Sequence, residues 1–327
     1  MKILIVHYNP AAPGQAGGAE SAIRDQRLAL ERLGCEVETE FSQPERAYVR
    51  FRPDIVHFHT IHVQMGLNVL QWAQRAGVKH CLSLHDYWPF CSGRMLLKKG
   101  DQSCSAVTGL CDGRCEGVPS DPEVAELVNG SPVVTFNPNS AAIYRRHGIR
   151  VDAVIPHAID TNFFAPDPSK RTDVHIMTHS AWPQFPTKGM HILRAALKEI
   201  GAKARLVTGL PREAVRDELQ SAAIHVFPSC YEETWGLCLT EAMACGCACI
   251  ASDVCGPKAQ IEHGVNGLLF PNRDSHALAM HLKRLLENDE EREWIGAVAR
   301  NWAVTHCNLE RMGRDYLAFY KAVINGT

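Results

Sequence analysis

The chain has 327 residues, enough for about two domains that each bury a core. Its 46% hydrophobic and 21% charged content is that of a globular protein, and a net charge of −2 offers no general footing on a polyanion, so a nucleic-acid partner would need a local basic patch. No apolar run reaches the ~18–20 residues of a membrane span, and the opening MKILIVHYNP breaks at His7, too early for a signal-peptide core, so a cytoplasmic protein is expected.

In chain order, Lys2 to His7 reads as a strand and Ala19 to Leu33 as a helix closed by Gly34. Further strands are expected at Cys35 to Phe41, Ile55 to His59 and Val78 to Leu84, with a helix near Val63 to Ala76. This alternation is a doubly wound α/β pattern. The loop Pro10 to Gly18 holds Gly14, Gly17 and Gly18, which can bring backbone amides to a phosphate or sugar or simply turn the chain. His85 and Asp86 follow the strand ending at Leu84, and the carboxyl ends of strands are where such sheets place ligands. A lone histidine there can equally be structural.

Thirteen cysteines without an export signal read as thiols or metal ligands before disulfides. Cys230, Cys238, Cys245, Cys247, Cys249 and Cys255 suit small buried hydrophobes. Cys91, Cys104, Cys111 and Cys115 instead lie in a polar, glycine-rich insertion near 91–115 that has little apolar pattern for a core of its own. Their C-x12-C-x6-C-x3-C spacing could wrap a structural zinc or an iron–sulfur cluster, although it departs from paired C-x2-C, and disulfides or free thiols remain open.

Arg145, Arg146, His147 and Arg150 form a basic cluster that is either a solvated face or a contact for an acceptor or an anionic membrane surface. The second half then restarts the alternation: strand His175 to Ser180, helix Met190 to Ile200, strand Ala204 to Thr208, helix Pro211 to Gln220 and strand Ile224 to Pro228. A helix from Trp235 to Cys245, ended by Gly246, and a strand from Cys247 to Ser252 follow.

Glu233 and Glu241 stand within the run SCYEETWGLCLTEAMACGCACIASD. That helix is apolar on both faces except for Glu241, so the carboxylate is either desolvated at a cost of several kcal/mol or has a polar partner placed for it. Glu233 sits just before the helix, whose first N–H groups can bind an anion.

This E-x7-E element and the sequence after it resemble the retaining GT-B glycosyltransferases of family four, and the resemblance extends over nearly the whole chain. The run GGAE is similar to the family's first-loop motif, LHDYW to its histidine at the sugar end of the cleft, and Lys188-Gly189 to its diphosphate lysine. The resemblance implies two Rossmann-like domains facing across a cleft: residues 1–157 on the acceptor side, rejoined by an amphipathic tail helix at 308–327, and residues 158–307 holding the nucleotide-sugar. It implies a UDP-, GDP- or ADP-sugar donor, a glycan or lipid-linked acceptor, and retention of configuration without a metal at the reacting bond. By residue, it assigns donor or acceptor contact to Gly17 and Gly18, the transferred sugar to His85, and the diphosphate to Lys188 and the helix start at Thr234, Trp235, Gly236, Leu237 and Cys238. Glu233 would hold sugar hydroxyls and Glu241 the ribose. Two departures stand out: Pro183, beside Trp182, fills the place of a common arginine, and His157-Ala158 replaces a common Asn-Gly. Transfer to nucleic acid, epimerisation or hydrolysis of a nucleotide-sugar, and a silent binding module remain alternatives, because fold does not fix function.

Overall fold

A computed structural model describes residues 1–7, 17–62, 65–91, 95–98, 102–103, 122–171, 175–180 and 183–326. The chain divides into two units, one containing Ala19–His157 and Leu309–Thr327 with the first strand, the other containing Ala158–Asn308 together with Gly17 and Gly18.

The first unit is built from β1 (Lys2–His7), α1 (Gly18–Arg32), β2 (Glu36–Glu40), α2 (Pro44–Phe51), β3 (Ile55–His59), α3 (Asn68–Arg75), β4 (His80–Ser83), a short hairpin of β5 (Leu97–Lys98) and β6 (Gln102–Ser103), α4 (Pro122–Asn129), β7 (Val133–Thr135), α5 (Pro138–Arg146) and β8 (Ala153–Val154). Its six-stranded sheet is parallel throughout, in the order β2-β1-β3-β4-β7-β8. Buried Ile3, Leu4, Ile5, Val6, Val56 and Phe58 give β1 and β3 the continuous apolar character of strands covered on both faces.

The second unit contains β9 (Ile176–His179), α6 (Met190–Ile200), β10 (Ala204–Val207), α7 (Arg212–Ser221), β11 (Ile224–Phe227), α8 (Leu237–Ala244), β12 (Ala248–Ser252), α9 (Cys255–Gln260), β13 (Leu268–Phe270), α10 (Ser275–Glu287) and α11 (Asp289–His306). Its five-stranded parallel sheet runs β10-β9-β11-β12-β13. Ile176, Leu193, Ile224, Ile250, Leu278 and Ile295 belong to one core.

The chain re-enters the first unit as α12 (Leu309–Asn325), which buries Met312, Gly313, Tyr316 and Tyr320. A Cβ at Gly313 would lie 3.0 Å from the Ala29 carbonyl oxygen, so glycine lets α12 lie close on α1.

Several boundaries differ from the sequence reading. The helix expected from Trp235 begins at Leu237, because Gly236 takes φ 97° and cannot be a helical turn. The helix expected near Val63 begins at Asn68, while α2, with Pro44 in its first turn, was not anticipated. The strand expected from Cys247 begins at Ala248, so Cys247 precedes β12, although it is buried. The residues of Pro10 to Gly18 up to 16, and also Val63, Trp182, Cys104, Cys111 and Cys115, lie outside the described residues. Among the described residues no helix is long and apolar enough to cross a membrane.

Candidate active site

In the second unit, the approach to α8 gathers the charged groups. Lys188 ends a short 3-10 turn, and Gly189 follows at φ 69° with its backbone so close to Pro228 that a Cβ would sit 1.7 Å from the Pro228 oxygen. Only glycine fits there, and the contact presses the lysine loop onto the loop after β11. Lys188 Nζ donates to Glu233 Oε1 at 2.6 Å. Tyr231 OH donates to Glu233 Oε2 at 2.6 Å, and Ser229 Oγ donates to Glu233 Oε1 at 3.1 Å. Burial opposes the Lys188 charge, but Glu233 first, then Tyr231 and Cys238, together outweigh it and raise the ammonium above its ordinary range. The Tyr231 hydroxyl is pushed up by burial and then by Glu233, so it stays a donor.

The loop before α8 is fixed from behind. Trp235 Nε1 donates to Thr240 Oγ1 at 3.0 Å, Thr240 donates to Gln260 Oε1 at 2.8 Å, and Gln260 Nε2 returns to the Trp235 oxygen at 2.7 Å. The first α8-type bond is donated by Leu239 to the Gly236 oxygen, so the N–H groups of Leu237 and Cys238 have no partner within the helix itself. At the other end, Arg300 Nη1 donates to the Ala244 oxygen at 2.8 Å, and Arg171 donates to the oxygens of Cys245 and Gly246 at 3.2 Å each. These cations complement the negative end of the helix. Neither they nor Gln260 carry a local sequence signal, since their partners lie far away along the chain.

Glu241 has the polar partner its apolar surroundings require. His179 Nε2 lies 3.0 Å from Glu241 Oε2, and His179 Nδ1 lies 3.0 Å from His225 Nε2. Burial works against the imidazolium, but Cys238 and Glu241 together raise His179 to about 10. Burial with no such partner holds His225 well below its usual value. Thr234 and Trp235 are buried, whereas Cys238 is half-buried.

In the first unit, His85 follows β4 and meets His59, which the sequence reading did not single out, and His157, which it marked as a departure. His59 Nδ1 lies 2.8 Å from His85 Nε2, and His7 Nδ1 lies 3.3 Å from the His59 oxygen. The His157 ring stacks on Phe136 at 3.7 Å and approaches His85 at 5.5 Å. Burial holds His59 and His85 well below the usual histidine range, and His57 and His157 at about 3. Gly17 precedes α1 and Gly18 opens it, and a Cβ on Gly18 would meet nothing within 4 Å. Of the basic cluster, Arg145, Arg146 and Arg150 are exposed, and His147 stacks on Phe90 at 4.1 Å. Of the cysteine quartet only Cys91, which is buried, is described.

Residues 187–302 match the family model for glycosyl transferases group 1. The D-inositol 3-phosphate glycosyltransferase of Kribbella flavida is 34% identical over 95 residues, 29% of this chain and 22% of that protein. The chain therefore aligns with about a fifth of that relative's length. Sucrose-phosphate synthase from Thermosynechococcus elongatus superposes with a TM-score of 0.77 at 18% identity, covering 100% of both chains. Anabaena HepE in complex with UDP and glucose gives 0.73 at 18% identity, covering 98% of this chain and 100% of that one. The fold is thus that of the GT-B glycosyltransferases, and Lys188, Glu233 and Glu241 lie within the stretch that matches the group 1 glycosyl transferase model.

Proposed function

We propose that this protein transfers a sugar from a nucleotide-sugar to a hydroxyl of a glycan or lipid-linked acceptor, with retention at the anomeric carbon and no metal at the reacting bond. The observation that carries the reading is the Lys188–Glu233–Tyr231 set at the approach to α8, inside the matched segment. A donor diphosphate would draw Lys188 Nζ away from Glu233 and receive the N–H groups of Leu237 and Cys238, so that positive charge meets the leaving group as its charge develops. Glu233, released by the lysine but still held by Ser229 and Tyr231, would then accept from sugar hydroxyls. Glu241, oriented by His179, would accept from the ribose. Thr234, Trp235 and Gly236 shape the turn that presents the helix start.

Retaining glycosidases use one carboxylate of a close pair as nucleophile. Glu233 is instead engaged by a lysine and a tyrosine, which suits a binding carboxylate and favours front-face transfer assisted by the donor phosphate. UDP-sugars are the first donors to try, before GDP- and ADP-sugars, because a structural neighbour holds UDP and glucose. His85, and likewise Gly17 and Gly18, would contact the transferred sugar or acceptor. Cys91, Cys104, Cys111 and Cys115 would hold a structural zinc or iron–sulfur cluster, which elemental analysis checks.

Calorimetric titration with the three classes of nucleotide-sugar, followed by a turnover assay, tests the proposal. Lys188→Ala and Glu233→Gln should abolish transfer while circular dichroism shows an intact fold. Near-normal turnover in either variant would sink the assignment, and sugar release without acceptor would point to hydrolysis.

A further inference from the structure

His179, Cys238 and Glu241 bring an imidazole nitrogen, a thiol sulfur and a carboxylate oxygen within 4.8 Å of one another. They come from the carboxyl end of β9 and from α8, where Cys238 and Glu241 are three residues apart and so share a face. An ion pair accounts for His179 and Glu241, but it does not require the thiol that stands with them. Cys230, Cys245, Cys247, Cys249 and Cys255 are buried, whereas Cys238 is half-buried and reachable. Behind the group, His225 Nε2 lies 3.0 Å from His179 Nδ1, the supporting contact that a ligating histidine needs to aim its other nitrogen.

We propose that His179 Nε2, Cys238 Sγ and a Glu241 oxygen form a binding site for a thiophilic divalent ion such as Zn²⁺. A mixed nitrogen, sulfur and oxygen set suits zinc or cobalt and disfavours magnesium and calcium, which take oxygen ligands. Side-chain adjustment would bring the atoms to the ~2.0–2.3 Å of such bonds. Three protein ligands leave one position for water or for an oxygen of a bound molecule. If Glu241 also anchors ribose, as the proposed function has it, the ion and the nucleotide exclude one another.

The test is a Co²⁺ titration of the metal-stripped full chain, read by the thiolate-to-cobalt charge-transfer absorption and by bound metal per chain. Wild type is expected to show the band, and Cys238→Ala and His179→Ala each to lose one metal equivalent and its share of the absorption. Metal held by Cys91, Cys104, Cys111 and Cys115 would persist in both variants. His225→Gln keeps all three ligands and should weaken cobalt affinity by ~10–100-fold. Identical spectra and stoichiometry in wild type and Cys238→Ala overturn the site, whether or not His179→Ala folds. Saturating UDP should bleach the band, and a band that UDP leaves unchanged while UDP binds overturns the mutual exclusion. Cobalt binding retained in Lys188→Ala, which should lose UDP, separates failure of this site from failure of the donor-site reading.

Discussion

Both units place buried histidines at the carboxyl ends of strands beside the point where strand order reverses: β1 and β3 in one, β9 and β11 in the other. In the first unit the rings of His57, His59, His85 and His157 face one another, aromatic rings and hydroxyls, and burial keeps them neutral, with His57 and His157 at about 3. In the second, His179 is just as enclosed and is raised to about 10. Burial penalises the charge in both places, and the difference is that His179 has Cys238 and Glu241 against it. The depth of the site sets the size of the penalty, and the partner sets the sign of the shift. In the proposed function, the neutral donor-and-acceptor wall would meet sugar hydroxyls and the ion pair would meet the ribose.

The largest test of that contrast is Glu241→Gln. Removing one member of a buried pair leaves the other uncompensated and should cost ~3–5 kcal/mol in denaturant unfolding at pH 7. His179 should titrate well below 10 by NMR. Because the folded value is raised, the wild-type stabilisation is fully present below about pH 6.5 and fades as pH rises through about 10. A His179 titration unchanged by the substitution would break the partner account.

Next comes acid sensitivity of the first unit. His57 and His157 have depressed values, so between pH 6.5 and 3 the unfolded chain binds protons that the folded one does not, and stability falls as pH falls. Each ring's loss steepens from about half of ~1.4 kcal/mol per pH unit at pH 6.5 to nearly all of it midway through that window. Hydrogen exchange of β1 and β3 amides from pH 6.5 to 5.5, corrected for intrinsic rates, should show roughly 2 kcal/mol less protection for the two rings together, because the unfolded rings are already half protonated at pH 6.5. Flat protection over that interval would show that these rings are not held neutral by the fold.

Much of this architecture was legible in the chain itself. The apolar runs of β1 and β3 set their limits at Lys2–His7 and Ile55–His59, and the lone charge of Glu241 in an apolar helix demanded a partner. The partner's identity was not legible, because His179 lies 62 residues away and reaches Glu241 only once β9 and β11 pair. His57 and His59 were hidden for a related reason: alternate residues on a strand read as strand pattern, and their meeting with Tyr320 and His85 depends on sheet order and on a helix returning from the far end of the chain. The start of α8 was missed by two residues because a glycine at φ 97° is a backbone state, which composition does not announce.

The smallest effect is the most discriminating for the first unit. Gln26 Nε2 lies 3.0 Å from His57 Nδ1 and donates to Tyr320 OH at 2.8 Å, so the tyrosine hydroxyl, 2.7 Å from the same Nδ1, must give its proton to the ring. His57 is then the tautomer that donates from Nε2 to Ser83 Oγ at 2.8 Å. Tyr320→Phe removes one donor but leaves Gln26 in reach of Nδ1, so the cost should be ~1 kcal/mol rather than that of an orphaned buried group. Since the ring is neutral at both pH 7 and pH 5.5, the gap between wild type and variant in denaturant unfolding should be the same at the two values. A gap that changes with pH would mean that His57 takes up a proton in the folded state, and the contrast with His179 would then be one of degree rather than of sign.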